Sequence, residues 1–262
     1  MGGAGPLPML ELKNLYRSYR GIPAIEDVSF KVAPGEVVGF LGPNGAGKST
    51  TVKIITGMLR PNDGHVLFEG RDIRHDMVAF RASIGYVPEE AHLYQHLSGR
   101  EYLQLLGRLR GMGRRMLDAR IDEMLRLFSL WEDRHSPLAA YSKGMRQKIL
   151  ISGALLHNPE LLILDEPFSG LDVNTALVLR TLIRALSKRG KMVFYSSHVL
   201  EVVEKVASSV LILRKGKMVA HDRVENLRDL MQQSTLEGVF AQLTQQEDPG
   251  RLVDGILCAM EN

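Results

Sequence analysis

The segment GPNGAGKST, from Gly42 to Thr50, constrains the fold of this chain more than any other stretch. It follows the apolar run VVGFL, which is typical of a buried strand, and precedes a stretch with helical periodicity. Its three glycines, Gly42, Gly45 and Gly47, allow the backbone to turn its N–H groups inward, and the N-terminus of the following helix favours an anion. A simple glycine turn before a helix is the alternative, but the spacing favours a phosphate-binding loop.

Two kinds of side chain extend this chemistry from phosphate to metal. Lys48 is expected to reach the β- and γ-phosphates of a nucleotide, and the Ser49 hydroxyl is expected to bind Mg²⁺. The segment LLILDEP, which predicts a buried strand, contains Asp165 and Glu166 near its end. Asp165 is expected to hold Mg²⁺ through water, and Glu166 is expected to polarise the attacking water. Carboxylates this close to phosphates require Mg²⁺ between them. Two negative charges about 4 Å apart repel by roughly 4 kcal/mol at an effective dielectric constant of about 20.

Other short apolar runs predict further buried strands. They are IGYVP from Ile84, MVFYSS from Met192 and SVLIL from Ser209, and helical patterns separate them. Strands that alternate with helices predict a mainly parallel α/β sheet. Residues 10–38 instead alternate apolar and polar side chains between glycine and proline, which predicts short antiparallel strands.

Residues 98–157 show helical periodicity with hardly any strand signal, which predicts a helical insertion. Ser98 followed by Glu101 is a capping box that fixes where its first helix begins. After Gly216 the sequence becomes polar and amphipathic, with one helix predicted over 235–244. The predicted division is 8–90 for the first part of a nucleotide-binding core with the antiparallel strands, 91–157 for the helical part, 158–221 for the second part of the core, and 222–262 for a C-terminal helical extension.

Composition excludes several classes of protein. With 45% hydrophobic and 24% charged residues among 262, the chain predicts a packed globular protein. A formal net charge of +3 is too small to indicate nucleic acid or an anionic membrane surface as a partner. No apolar run approaches the roughly 20 residues that a membrane-spanning helix needs. The single cysteine, Cys258, favours a reducing compartment.

Three further motifs identify the kind of nucleotide-binding protein. YSKGMRQK (Tyr141 to Lys148) precedes LLILDEP, SGLD (Ser169 to Asp172) follows it, and His198 lies in SSHVLEVVE. With these motifs in this order the chain resembles the ATP-binding cassette family, in which they are the signature motif, the D-loop and the switch histidine. The resemblance implies an α/β P-loop NTPase fold, with a RecA-like parallel-sheet core, an antiparallel β subdomain and an inserted helical subdomain.

The resemblance also implies that two cassettes share their ATP sites. The signature helix of one subunit would present Ser142, the Gly144 backbone and its N-terminal dipole to the γ-phosphate bound by the other. One chain would then contain half-sites only, and ATP would close a head-to-tail pair, either a homodimer or a pair with a paralogous cassette. The residues expected to act in trans are Ser142, Lys143, Gly144 and Met145 of the signature, and Asp172 is assigned to the D-loop.

Site residues follow from the same resemblance. Tyr19 matches the aromatic residue that stacks on adenine, with Tyr16 as the alternative. His198 would contact the γ-phosphate, and a helix-cap role is its alternative. The predicted catalytic residues are Glu166, His198 and Lys48, and the predicted Mg²⁺ ligands are Ser49, Glu89 and, through water, Asp165. The residues expected to bind ATP are Tyr19, Gly42, Pro43, Asn44, Gly45, Ala46, Gly47, Lys48, Ser49, Thr50 and Glu89.

Glu89 stands where most cassettes carry a glutamine after a strand. A carboxylate keeps the metal-binding oxygen but lacks the amide donor, and it adds a like charge to Asp165 and Glu166. The site is therefore expected to depend more strongly on Mg²⁺ than a site with glutamine. Glu90 is expected to be a solvated neighbour.

Departures from the family pattern point to its exporter branch. Lys143 and Met145 replace a usual glycine and glutamine, and these variants are similar to those of exporter cassettes. This implies an ATPase subunit that works with a separate polytopic membrane permease at the cytoplasmic face of the cell membrane. Leu93, Tyr94 and Leu97 are candidates for contacting that permease, and packing against the helical part is their alternative.

Two other functions compete with this one. A soluble cassette ATPase acting on nucleic acid or the ribosome is the first, although the long coiled coils, zinc cysteines or tandem cassettes usual in such proteins are absent from this sequence. A non-hydrolysing ATP-binding module is the second, and the presence of Glu166 argues against it.

Overall fold

The computed structural model describes residues 10–90, 92–197, 199–244 and 258–260. Its strands are β1 (Leu10–Tyr19), β2 (Ile22–Val32), β3 (Val37–Leu41), β4 (Asp63–Phe68), β5 (Arg71–Asp72), β6 (Ile84–Val87), β7 (Leu161–Asp165), β8 (Met192–Ser196), β9 (Ser209–Arg214) and β10 (Lys217–Arg223). Its helices are α1 (Lys48–Ile55), α2 (Met77–Ser83), α3 (Gly99–Leu109), α4 (Arg114–Leu127), α5 (Lys143–Leu155), α6 (Val173–Lys188), α7 (Leu200–Val206), α8 (Val224–Leu230) and α9 (Leu236–Thr244).

The central sheet confirms the predicted parallel α/β core. Its strand order is β10-β9-β3-β8-β7-β6, and every neighbouring pair except β10 and β9 is parallel. Side chains alternate between its faces: in β3, Val38 and Phe40 belong to one hydrophobic core, and Val37 and Leu41 to another. Because both faces are covered, these strands read as continuous apolar runs in the sequence.

A second sheet, with strand order β2-β1-β4-β5, confirms the predicted antiparallel strands near the N-terminus. The strands β1 and β2 are longer than predicted, at 10 and 11 residues. They are joined at Arg20 and Gly21, both with left-handed backbone, which matches the twist of a two-residue hairpin. The sheet packs on the central sheet through Phe30, whose ring stacks on that of Phe194 at a centroid distance of 5.7 Å.

Helices α3, α4 and α5 surround a third hydrophobic core. The predicted capping box at the start of α3 is confirmed, because Glu101 N–H donates to Ser98 Oγ and Ser98 N–H donates to Glu101 Oε2 at 2.8 Å. Arg100 joins α3 to α4 through Asp118, with an N–O distance of 3.3 Å. The division of the chain at residues 90 and 157 stays a prediction.

The region after Gly216 contains a strand that the sequence did not predict. β10 pairs antiparallel with β9, continues two residues beyond the expected boundary at 221, and is followed by α8. Lys215 and Gly216 form its turn with φ angles of 48° and 80°. The predicted helix over 235–244 is confirmed by α9. Among the described residues, no helix combines the length and hydropathy that a bilayer crossing requires.

Candidate functional site

The glycine-rich loop connects the carboxyl end of β3 to the first residue of α1, as predicted. Gly47 caps this helix with a φ angle of 105°, in the left-handed region. A Cβ atom at this position would lie 2.5 Å from the carbonyl oxygen of Ala24, so the neighbouring strand β2 leaves no room for a side chain. Conformation and packing therefore both require glycine where the loop enters the helix.

The Lys48 side chain binds backbone carbonyl groups of the glycine-rich loop. Its Nζ donates to the carbonyl oxygens of Gly42 at 2.5 Å and Pro43 at 3.2 Å. Burial lowers the pKa of the Lys48 ammonium, and the nearby charges of Glu166, Asp165 and Glu89 oppose that shift. A half-buried ammonium group held by two carbonyl oxygens can exchange them for phosphate oxygens.

A cavity of about 260 Å³ lies over this loop. Carboxylates from two other strand ends reach it, because Glu89 follows β6 and Asp165 and Glu166 lie at the end of β7. All of these strands end at the same edge of the parallel sheet, where ligands of such folds bind. The lining residues are Ala24, Asn44, Gly45, Ala46, Gly47, Lys48, Ser49, Thr50, Glu89, Asp165 and Glu166.

Asp165 and Glu166 are positioned by a residue that sequence reasoning missed, Ser196 on the neighbouring strand β8. The Ser196 hydroxyl donates to Asp165 Oδ1 and accepts from the Glu166 N–H at 3.1 Å. Burial raises the pKa of Asp165, with a smaller contribution from Glu166, while the Ser196 bond and Lys48 oppose the rise. The pair of serines in MVFYSS, at a strand end, was the available signal.

Glu166 has an unusual backbone conformation. Its φ angle is 48°, in the left-handed region that non-glycine residues seldom adopt. The chain turns there from β7 into the segment that leads to α6, and the turn is closed by a bond from Ser169 N–H to the Glu166 carbonyl oxygen at 3.1 Å. Such strained positions cluster at functional sites.

Glu89 and Glu90 have different surroundings. Glu89 lines the cavity over the loop, near enough to Lys48 and Tyr86 to influence both side chains. The pKa of Tyr86 rises to about 12, mainly through burial and also through Asp165 and Glu89. Glu90 instead lies 3.5 Å from His92 with a side chain that is 80% exposed, as expected for a solvated neighbour.

Of the two candidate aromatic residues, Tyr19 is the more accessible. Tyr19 is 45% exposed at the end of β1, with the Arg17 guanidinium 5.1 Å from its ring centroid, whereas Tyr16 is half-buried. Neither residue lines the cavity over the loop. Exposure favours Tyr19 for stacking, because a base needs an open ring face.

The signature residues lie at the start of α5, away from the cavity over the loop. Ser142 is the N-cap of α5, and its hydroxyl accepts from Met145 N–H at 3.2 Å. Ser142, Lys143, Gly144 and Met145 do not line that cavity. Asp172 caps α6 by accepting from Thr175. His198 lies outside the described residues, directly after Ser197.

Comparison with known proteins identifies the family. A sequence profile described as ABC transporter matches residues 25–169, more than half of the chain and the whole stretch from the glycine-rich loop to Ser169. The chain belongs to the ABC transporter family. NatA of Bacillus subtilis (strain 168), an ABC transporter ATP-binding protein, is 34% identical over 220 residues, which are 84% of this chain and 89% of NatA.

Solved cassette structures share the fold. An ATP-binding subunit of an ABC transporter superposes with a TM-score of 0.85 at 34% identity, covering 90% of this chain and 99% of that one. The cassette MJ0796, solved as a dimer in a post-hydrolysis state with ADP and Pi, gives a TM-score of 0.76 at 26% identity, covering 82% and 98%. The chain is thus an ATP-binding subunit of the ABC transporter type.

This cassette also has a larger groove, of about 590 Å³, between the central sheet and the helical part. Ser49, Glu89 and Asp165 line it on the nucleotide side. On the helical side it is lined by Tyr102, Leu106, Arg110, Leu150, Gly153 and Ala154. A molecule in this groove would therefore be close to residues that are predicted to bind Mg²⁺.

The three residues predicted to contact a permease, Leu93, Tyr94 and Leu97, separate into two groups. Leu93 and Leu97 are partly buried and pack against the core of the helical part. Tyr94 is 59% exposed, with its ring centroid 6.5 Å from that of Tyr102. Packing thus accounts for the two leucines, and Tyr94 keeps an accessible face.

Proposed function

We propose that this cassette hydrolyses MgATP at two sites that it forms with a second cassette, and that hydrolysis drives export through a separate membrane permease. The observation that carries the proposal is the convergence of three strand ends on one cavity. There the loop with Lys48 and Ser49 faces the carboxylates Glu89, Asp165 and Glu166.

The residues that line the cavity have roles that fit their positions. The Lys48 ammonium leaves the Gly42 and Pro43 carbonyls and binds phosphate oxygens, while the backbone N–H groups of the loop surround the phosphate chain. Glu166 accepts a proton from the attacking water, held in place through its backbone by Ser196. Tyr19 stacks on the adenine, and His198 contacts the γ-phosphate.

The donor set fits Mg²⁺ shared with a phosphate chain. No cluster of three or more potential metal-binding side chains occurs among the residues that the structure describes. Mg²⁺ commonly binds through one or two protein oxygens together with phosphates and water, and Ser49, Glu89 and Asp165 supply such oxygens at the cavity. The metal would neutralise negative charge between the phosphates and these carboxylates.

Dimerisation is supported by the position of the signature residues. Because α5 begins away from the cavity over the loop, Ser142, Gly144 and Met145 can act on ATP held by another copy, whereas the Lys143 ammonium donates to Ser169 of its own chain. The exposed apolar side chains of Val173, Leu177 and Val178 follow Asp172 on α6 and add surface that a partner can cover. The similar cassette MJ0796 has been solved as a dimer, which supports pairing of two cassettes.

Export, rather than import, is supported by the sequence variants at Lys143, Met145 and Glu89. The permease would place a cytoplasmic segment in the groove near Tyr94 and Tyr102, close to the Mg²⁺-binding side chains. The cassette would therefore act at the cytoplasmic face of the cell membrane. No nucleic-acid partner is expected.

The variant Glu166→Gln tests hydrolysis. Loss of a general base lowers turnover by about 10² to 10⁴-fold, whereas Glu90→Gln, the control at an exposed carboxylate, keeps the parent rate. Parent-rate hydrolysis by Glu166→Gln would refute the assignment of the base. Co-purification of the tagged cassette from membranes tests coupling separately, and the expected partner is a polytopic protein. A complex with nucleic acid or ribosomes would contradict the transport role.

A further inference from the structure

The signature helix α5 is bound to the segment after Glu166 in its own chain by an unusual residue, Lys143. Its Nζ donates to Ser169 Oγ at 2.9 Å. Its aliphatic carbons lie over Gly170, where a Cβ atom would approach them to within 2.9 Å. The next residue, Gly144, is just as close, since a Cβ there would lie 2.9 Å from the Gly170 carbonyl oxygen.

The following turn of α5 repeats this attachment on the same face of the helix. Gln147 is buried and donates through Nε2 to the Pro167 carbonyl oxygen at 3.2 Å. Lys148 Nζ lies 3.7 Å from Asp172 Oδ2. Positions 143, 144, 147 and 148 lie on one face because the helix repeats every 3.6 residues. Two turns of α5 are therefore attached to residues 167–172.

Residues 167–172 are connected directly to the predicted base. Ser169, which receives the Lys143 ammonium, donates its N–H to the Glu166 carbonyl oxygen at 3.1 Å. Lys143 thus lies two hydrogen bonds from the backbone of Glu166. Helix stability does not explain a lysine here, because a cation in the first turn opposes the helix dipole, and that turn contains no acidic residue.

We propose that Lys143 is a positioning residue that makes the two ATP sites of the dimer cooperative, through its bond to Ser169. This inference rests on the proposed function. The start of α5 contacts the ATP held by the partner, whereas Glu166 acts on the ATP held by its own chain. A movement of α5 upon contact with one ATP is transmitted through Lys143 and Ser169 to the carboxylate at the other.

The test measures ATPase rate against ATP concentration for the full chain and for the variants Lys143→Ala, Ser169→Ala and the double variant. In the parent the rate is expected to rise sigmoidally. In Lys143→Ala the curve becomes less sigmoidal, because Gln147 and Lys148 still attach α5, and about fivefold more ATP is needed for half-maximal rate, the ratio that corresponds to the net free energy of one hydrogen bond. Lys188→Ala, a control at an exposed lysine of α6, keeps the parent curve.

Three comparisons separate positioning from a merely structural role. Lys143→Arg keeps a donor and restores the sigmoidal curve. The single variants and the double variant have the same effect, because removing either end breaks the same bond. ATP binding to the monomer, measured by equilibrium dialysis at a concentration too low for dimers, is unchanged in Lys143→Ala, because Lys48 and its loop lie elsewhere.

Other outcomes would overturn the inference. Additive effects of the two substitutions, or a curve in Lys143→Ala as sigmoidal as that of the parent, would show that the bond does not couple the sites. A loss of monomer ATP binding would indicate a general structural defect. If Glu166→Gln hydrolysed ATP at the parent rate, the proposed function would fail. If Glu166→Gln lost hydrolysis but Lys143→Ala kept the parent cooperativity, only the coupling through Lys143 would be refuted.

Discussion

Replacing Asp165 by asparagine is expected to stabilise the ligand-free cassette while it removes MgATP hydrolysis. Asp165 is 7% exposed and lies near the charge of Glu166, so its ionised form is poorly solvated. Asparagine has nearly the same shape and keeps an oxygen that can accept from the Ser196 hydroxyl. Removing such a poorly solvated charge is expected to stabilise the folded protein by on the order of 1 kcal/mol, which corresponds to about 2–4 °C in Tm for a chain of this size.

The pH dependence of this effect has a definite sign. Burial raises the pKa of Asp165 in the folded protein above the ordinary value of 3.8. The folded state therefore holds this proton more tightly than the unfolded state, and the stability from Asp165 is lost as pH rises through the folded pKa. The advantage of Asp165→Asn is thus present at neutral pH and disappears as pH falls toward 3.8.

Thermal unfolding across this pH range, with and without MgATP, is the assay. MgATP is expected to raise the Tm of the parent more than that of Asp165→Asn, since the variant has lost a Mg²⁺-binding carboxylate. Asp229→Asn, at an exposed position of α8, controls for the loss of a surface charge. A lower Tm for ligand-free Asp165→Asn at neutral pH, or an advantage independent of pH, would refute the reasoning.

Three further substitutions test other parts of the structure. Glu89→Gln removes a negative charge that attracts Mg²⁺, so the half-saturating Mg²⁺ concentration for hydrolysis rises by about threefold to tenfold while the maximal rate changes less. Identical Mg²⁺ titrations of the variant and the parent would count against this role of Glu89. Tyr19→Ala raises the KM for ATP by about tenfold through loss of stacking, and Tyr16→Ala does not; the reverse result in steady-state kinetics would exchange their roles. Ser98→Ala removes the cap that Glu101 completes and lowers the Tm by about 2–4 °C, and an unchanged melting curve would show that the cap is dispensable.

The parts of the site that are local in sequence could be predicted from it. The phosphate-binding loop is one continuous segment between a strand and a helix, so its spacing alone specifies its form. The capping box at Ser98 and Glu101 was predictable for the same reason. The buried strands were recognisable because both of their faces are apolar.

Features that depend on strand neighbours could not be predicted in this way. Ser196 reaches Asp165 and Glu166 only because β8 lies beside β7, and strand order is not encoded in the periodicity of either strand. The contact of Lys143 with Ser169 joins residues 26 positions apart and is equally invisible to spacing. β10 was missed because a half-exposed edge strand resembles a polar tail, although Lys215 and Gly216 offered a hairpin signal.

We expect one chain to contain half-sites that ATP completes between two chains. Light scattering on the purified Glu166→Gln variant, with ATP and Mg²⁺ and then with ADP and Mg²⁺, tests it most directly. We expect a dimer with ATP, because the substitution keeps the residues proposed to bind ATP and removes the proposed base, and a monomer with ADP. A variant that stays monomeric at saturating ATP, or dimerises equally with both nucleotides, would contradict it.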